Sequence, residues 1–153
     1  MRARPFENRT IHLEDLITAL QILESEMKYR KDPLPILLKR IGDLKIGNSS
    51  IFFIQVFENL KKHYSYDFYK SWTSAVEKVY EDSSLTERDK ELLSEVGIEL
   101  GKTDINNQNN IFIKAHSRLE HQLAEALEEK KTKGKMYKAL GVAIGVLIVI
   151  VLL

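Results

Sequence analysis

The chain has 153 residues, 44% of them hydrophobic, and no cysteine, which allows one domain plus an appendage and excludes disulfide frameworks, thiolate metal sites and a cysteine nucleophile. The net charge of +1 hides a division: 18 basic against 22 acidic residues up to Glu129 leave −4, and Lys130, Lys131, Lys133, Lys135 and Lys138 then add five positive charges. A slightly acidic body lacks the dense basic stripe that displaces counterions from nucleic acid, and the opening MRARPFENRT has no apolar core of a cleavable secretory signal.

The first predicted element runs from about Thr10 to Tyr29. Leu13, Leu16, Ile17, Leu20, Leu23 and Met27 recur there at three- and four-residue steps and make one apolar stripe. Asp32-Pro33 then reads as an N-cap followed by proline at the first helical position. The second helix carries Leu34, Leu37, Leu38 and Ile41 and stops at Gly42. Asn48-Ser49-Ser50 is expected to cap a third helix with Ile51, Ile54 and Phe57 facing inward, joined by Phe53 and Leu60. A fourth, about Tyr66 to Tyr80, buries Phe68, Trp72, Ala75, Val76 and Val79. Thr86 with Asp89 resembles a capping box opening a fifth helix through Leu92, Leu93, Val96 and Leu100. Asp104 reads as the N-cap of a sixth, which continues through Ile111, Ala115, Leu119, Leu123 and Leu127 into the lysine cluster and is expected to bend at Gly134. No segment alternates with period two, so helix on helix is the remaining architecture: an all-α six-helix bundle.

From Ala139 to Leu153 no side chain is polar. Fifteen helical residues rise about 22 Å, short of the roughly 30 Å hydrocarbon core. Met136, Tyr137 and a snorkelling Lys138 extend the usable length to about 27 Å. An interfacial helix would need a polar face, which this segment lacks, so a C-terminal transmembrane helix in membrane lipid is predicted. Lysines before it and none after it place the bundle in the cytosol. Gly141 and Gly145 form a weak small-xxx-small step. The chain thus divides into 1–9, a helical bundle over 10–129, a lysine flank over 130–138 and a tail over 139–153.

Among side chains that could carry chemistry, His116 and His121 are five apart and do not share a face as a metal pair would. His12 and His63 stand alone, and all four read as solvated. Glu24 and Glu26, two apart on a helix, point in different directions. Without a nucleophile or metal-ligand set, a structural ion pair suits them better than acid–base work. The aromatic run His63, Tyr64, Tyr66, Phe68, Tyr69 and Trp72 fits core packing better than a binding surface. Asn106 to Asn110 either caps and solvates a helix end or contacts another protein. Gly97, inside a helix, costs about 1 kcal/mol against alanine and calls for close approach of a neighbouring helix. Gly101 can be a simple C-cap.

Gly97-Ile-Glu99-Leu-Gly101-Lys-Thr-Asp104 resembles the G-E-x-x-G-x-x-D signature in the cytoplasmic domains of type II secretion and type IV pilus platform proteins, where it joins two helices of a six-helix bundle. Glu99 stands one place later than that signature requires. Leu20-Gln-Ile-Leu23-Glu24-Ser-Glu26-Met27-Lys-Tyr29, followed by Pro33-Leu34, is similar to the opening of the stage III sporulation protein AB family, and residues 105–153 are similar to its closing pattern. The resemblance covers nearly the whole chain. Members of that family begin with a transmembrane helix that should precede Met1, so that Met1 reads as a late or truncated start and Arg2, Arg4 and Arg9 as its juxtamembrane flank. The resemblance implies a non-enzymatic platform subunit without cofactor or metal, in the outer forespore membrane on the mother-cell side. Its partners would be a secretion-type ATPase, ring-forming channel proteins and possible further copies of itself. Glu24, Glu26, Tyr29, Pro33, Gly97, Glu99, Gly101 and Asp104 are the structural and interface residues it implies. The alternatives are a generic tail-anchored adaptor and a membrane-bound hydrolase built on Glu24, Glu26 and a histidine.

Overall fold

A computed structural model describes residues 5–30, 32–62, 67–101 and 105–152, with side chains for all of these but 5–8, 105–109 and 137. Among the described residues the chain forms six α-helices and no strand: α1 Pro5–Tyr29, α2 Leu34–Asp43, α3 Gly47–Lys62, α4 Phe68–Tyr80, α5 Glu87–Gly101 and α6 Ile105–Leu152. Each helix packs on the next in sequence, and α6 returns to α1, which closes the bundle; α1 also touches α3.

The stripe of α1 is buried as its spacing predicts, with Leu13, Leu16, Ala19 and Leu23 sealed and Met27 at the edge. The helix starts earlier than Thr10, at Pro5. Proline lacks an N–H and tolerates a helix start, so the sequence allows this. Leu37, Leu38 and Ile41 of α2 are buried. Pro33 itself, in extended conformation, occupies the N-cap of α2, and Asp32 makes no cap bond. The Asp32 carboxylate instead accepts from Arg40 at 3.2 Å.

The inward face of α3 is rotated from that expected: Phe53 is buried and Leu60 packs on the core as read, but Phe52 and Val56 are buried beside them, while Ile51 and Ile54 are exposed. Both faces of this segment are apolar, so periodicity alone could not choose between them. The aromatic rings of α4 decide it: Phe52 meets Trp72 at 4.9 Å with planes perpendicular, Phe53 lies 5.8 Å from the same indole, and Tyr80 flanks Phe52. Edge-to-face pairs of this kind stabilise beyond their area burial. Ser49 and Ser50 lie inside α3 and are buried; the Ser50 hydroxyl accepts the Ile46 N–H and the Ser49 hydroxyl donates to the Ile46 carbonyl.

Asp67 caps α4 by accepting the Lys70 N–H at 2.7 Å; residues 63–66, with three of the aromatic-run positions, lie outside the described residues. The capping box of α5 forms as read, Thr86 N–H to Asp89 and Asp89 N–H to Thr86 Oγ1, at 3.0 and 3.1 Å. Helix α6 buries Ile111, Phe112, Ala115, Leu119, Gln122 and Ala126 and leaves Leu127 exposed. It continues through Gly134 to Leu152 as one α-helix of 48 residues, with no break in the helix at Gly134, where a bend is expected.

Candidate functional site

Two hydrogen bonds fix the direction of the bundle relative to the tail. Arg118 of α6 donates to Glu95 of α5 at 2.7 Å, and Gln122 donates to Asp89 at 2.9 Å, so the two helices are antiparallel. Arg9 of α1 reaches Glu129, and Gln21 lies beside His116, so α1 also runs opposite to α6. The start of α1 and the start of α5 therefore lie at the end from which the tail emerges. The ends of α1 and α5 lie at the opposite end.

At the tail end sits a buried ionic cluster that no sequence motif announced. Arg9 is only 3% exposed and grips Asp89, itself 1% exposed, through Nε at 2.8 Å and Nη2 at 3.1 Å. Gln122 and the Thr86 N–H fill the remaining sites on the carboxylate. Burial pushes the Asp89 carboxyl up, and its hydrogen bonds to Arg9, Gln122 and Thr86 outweigh that, leaving it below the ordinary carboxylate value. The bond to Asp89, against the opposing effect of burial, holds Arg9 above the ordinary guanidinium value. Arg9 is thus no membrane flank, as its place in residues 1–9 suggested; it is a core residue tying α1, α5 and α6 together.

Below this cluster α6 emerges from the bundle. Lys130, Lys131, Lys133, Lys135 and Lys138 are all exposed. From Ala139 to Leu152 every side chain is exposed as well, including Leu147, Ile148 and Ile150 at more than half their surface. The helix from Asn110 to Leu152, of which this stretch is the apolar end, is long and apolar enough to cross a membrane. An apolar surface covering all sides of a helix has no protein partner in the bundle, and lipid is the solvent that suits it.

The other singled-out residues fall at the far end and do not converge on one centre. Glu26 accepts from Arg30 at 3.0 Å and from Arg40 at 3.1 Å, an ion-pair network joining α1 to α2. Glu24 lines a cleft of about 10 Å³ with Gln21 and His116, room for about one water and no substrate. Tyr29 is 77% exposed, with the Lys28 ammonium 5.8 Å from its ring centre. Gly97 is buried, and what closes on it is a side chain rather than a helix backbone: a Cβ there would lie 2.3 Å from Trp72 Cδ1. The indole donates to the Leu93 carbonyl at 2.7 Å, one turn before Gly97. Gly101 ends α5 with Phe68 at ordinary contact distance, and Glu99 is exposed. Asp104 lies outside the described residues.

Comparison with known proteins is consistent across three levels. The family model for stage III sporulation protein AB matches residues 1–153. A stage III sporulation protein AB of Bacillus subtilis (strain 168) is 28% identical over 151 residues, 99% of this chain and 88% of that protein. A solved structure of stage III sporulation protein AB superposes with a TM-score of 0.74 at 27% identity, covering 82% of this chain and 98% of its own.

Proposed function

This chain belongs to the stage III sporulation protein AB family, and we propose that it acts as a non-enzymatic membrane platform. Its bundle is held at the cytosolic, mother-cell face of the outer forespore membrane, and it couples a secretion-type ATPase to the ring-forming components of a channel between the two cells. The family is one of sporulation proteins rather than of known enzymes. The observation that carries the reading is the continuity of α6. One unbroken helix belongs both to the core, through Ala115, Leu119 and Ala126, and to the exposed apolar tail. A displacement of the bundle is transmitted to the tail without a flexible joint. The Arg9–Asp89–Gln122 cluster fixes α1 and α5 to the same helix at the level where it emerges.

The test is Leu147→Arg in the full chain. An arginine near the middle of an inserted helix costs about 2.5–3.5 kcal/mol, so the variant should move from the membrane to the soluble fraction while keeping its bundle folded. Pull-down from sporulating cells with the unaltered protein should recover a secretion-type ATPase, and the variant should lose it. Recovery of the same partners from the soluble fraction would show that coupling needs no membrane.

A further inference from the structure

We infer that the stem of α6, residues 130–138, binds anionic phospholipid headgroups of the leaflet facing the bundle, through one lysine-bearing side of the helix. The sign of α6 changes in a single step. Glu125, Glu128 and Glu129 give way to Lys130, Lys131, Lys133, Lys135 and Lys138, and no acidic side chain follows. All five lysines are exposed, and among the described side chains none pairs with Lys130, Lys131, Lys135 or Lys138. At about 100° per residue, Lys131, Lys135 and Lys138 fall within about 60° of one another around the helix. Lys130 and Lys133 lie outside that sector. Three ammonium groups on one side suit the phosphate oxygens of lipids, which accept charge-assisted hydrogen bonds from lysine.

Height selects the same partner. Ala139 opens the exposed apolar run and marks the hydrocarbon edge. The Cα atoms of Lys138, Lys135 and Lys131 then stand about 1.5, 6 and 12 Å above that edge. The headgroup layer is about 5–7 Å deep on each side of a bilayer, and lysine side chains bend along their own methylenes to reach it. Lys138 and Lys135 are therefore inside the layer, and Lys131 is within one Debye length, about 8 Å, of its outer edge. A second copy in the same bilayer offers no alternative at this level. It presents its own lysines there and carries Glu125, Glu128 and Glu129 higher on the helix, so two stems repel. Anionic headgroups have both the complementary charge and the right position.

The inference rests on the membrane-held tail proposed above, which sets the height of the stem. The full chain is reconstituted in phosphatidylcholine bilayers holding a trace of spin-labelled phosphatidylglycerol or of spin-labelled phosphatidylcholine. The fraction of each probe immobilised by the protein is then compared. The unaltered chain should prefer the phosphatidylglycerol probe about fivefold, which corresponds to about 1 kcal/mol. Salt at about 0.5 M should bring the preference towards one. Lys131→Gln, Lys135→Gln and Lys138→Gln together should abolish it with the melting of the bundle unchanged, and the corresponding substitutions to arginine should keep it. Lys130→Gln with Lys133→Gln should lower it less. Equal immobilisation of both probes by chains that are in the bilayer overturns the inference and leaves the anchoring intact, as does a preference indifferent to the triple substitution. Inorganic phosphate that removes the preference, where chloride of the same ionic strength does not, would assign the lysines to free phosphate and overturn it too. Chains that stay out of phosphatidylcholine bilayers, yet join phosphatidylglycerol vesicles through the same three lysines, would keep the headgroup contact and sink the anchoring reading.

Discussion

The two halves of α6 share one backbone and obey different rules. Between Ile111 and Ala126 the buried positions follow three- and four-residue steps, and the intervening side chains, apart from the half-buried Leu123, are exposed. Between Ala139 and Leu152 there is no such step, and all side chains are exposed and apolar. A helix that meets protein on one side needs a stripe; one that meets lipid on all sides needs only composition. In the first half a residue's identity is set by a particular neighbour. In the second it is set by hydropathy and helix propensity.

The largest effect expected from that difference is at the ionic cluster. Asp89→Ala leaves Arg9 buried with only the exposed Glu129 as an anion and removes the Thr86 N–H bond of the α5 capping box, which should cost about 3–5 kcal/mol. Replacing both partners, Arg9→Met with Asp89→Leu, should recover most of it, leaving about 1 kcal/mol for the hydrogen bonds that Thr86 and Gln122 no longer make. Thermal and denaturant unfolding of the full chain measure both. The same cluster predicts an acid limb. Because the folded-state value of Asp89 lies below its unfolded value of 3.8, its contribution is complete above about pH 4 and is lost as pH falls towards the folded value. Asp15, raised by burial, has the opposite sign and offsets part of the loss. In Asp89→Asn the limb below about pH 4 should flatten; an unchanged limb would remove Asp89 as its source.

The cluster also shows how far the sequence could be read. Arg9 lies on the stripe of α1, four before Leu13. Asp89 continues the stripe of Leu92, Leu93 and Val96, and Gln122 that of Ala115, Leu119 and Ala126. Three polar residues on three apolar stripes are a legible sign of a buried network, but which of them meet depends on helix pairing that no single stripe encodes. The helix count, five of the six apolar faces and the tail were legible because each depends on local spacing. The face of α3 was legible only at Phe53 and Leu60, because Phe52 competes with Ile51 and Ile54, and the choice is made by Trp72 twenty residues away. Asp32 failed as a cap for a similar reason, since Arg40 claims its carboxylate.

Gly97 gives the next largest effect and the sharpest contrast with the stem. Alanine normally gains up to about 1 kcal/mol over glycine inside a helix. At Gly97 the new methyl would stand 2.3 Å from the indole of Trp72, itself fully buried among Phe52, Phe53 and Phe68 and bonded to the Leu93 carbonyl. The ring cannot move without breaking that bond, so Gly97→Ala should destabilise by about 1–3 kcal/mol, the usual range for overpacking. A melting temperature at or above that of the parent would mean the indole yields freely.

The smallest effect is expected at Gly134, and its sign should reverse. Nothing lies within 4 Å of where a Cβ would stand, so Gly134→Ala meets only propensity and should stiffen the stem by up to about 1 kcal/mol. Slower amide exchange over residues 130–138 would register it, with the melting of the bundle unchanged. The functional outcome then separates two devices. A rigid strut, which an unbroken α6 would make, works as well or better with alanine, and membrane retention and partner recovery should be preserved. A joint that must flex between bundle and bilayer would be impaired by the same methyl group, although it touches nothing. Loss of partner recovery in Gly134→Ala, with the bundle folded and the tail inserted, would therefore mean that the glycine is kept for bending and that force is not carried along a rigid α6.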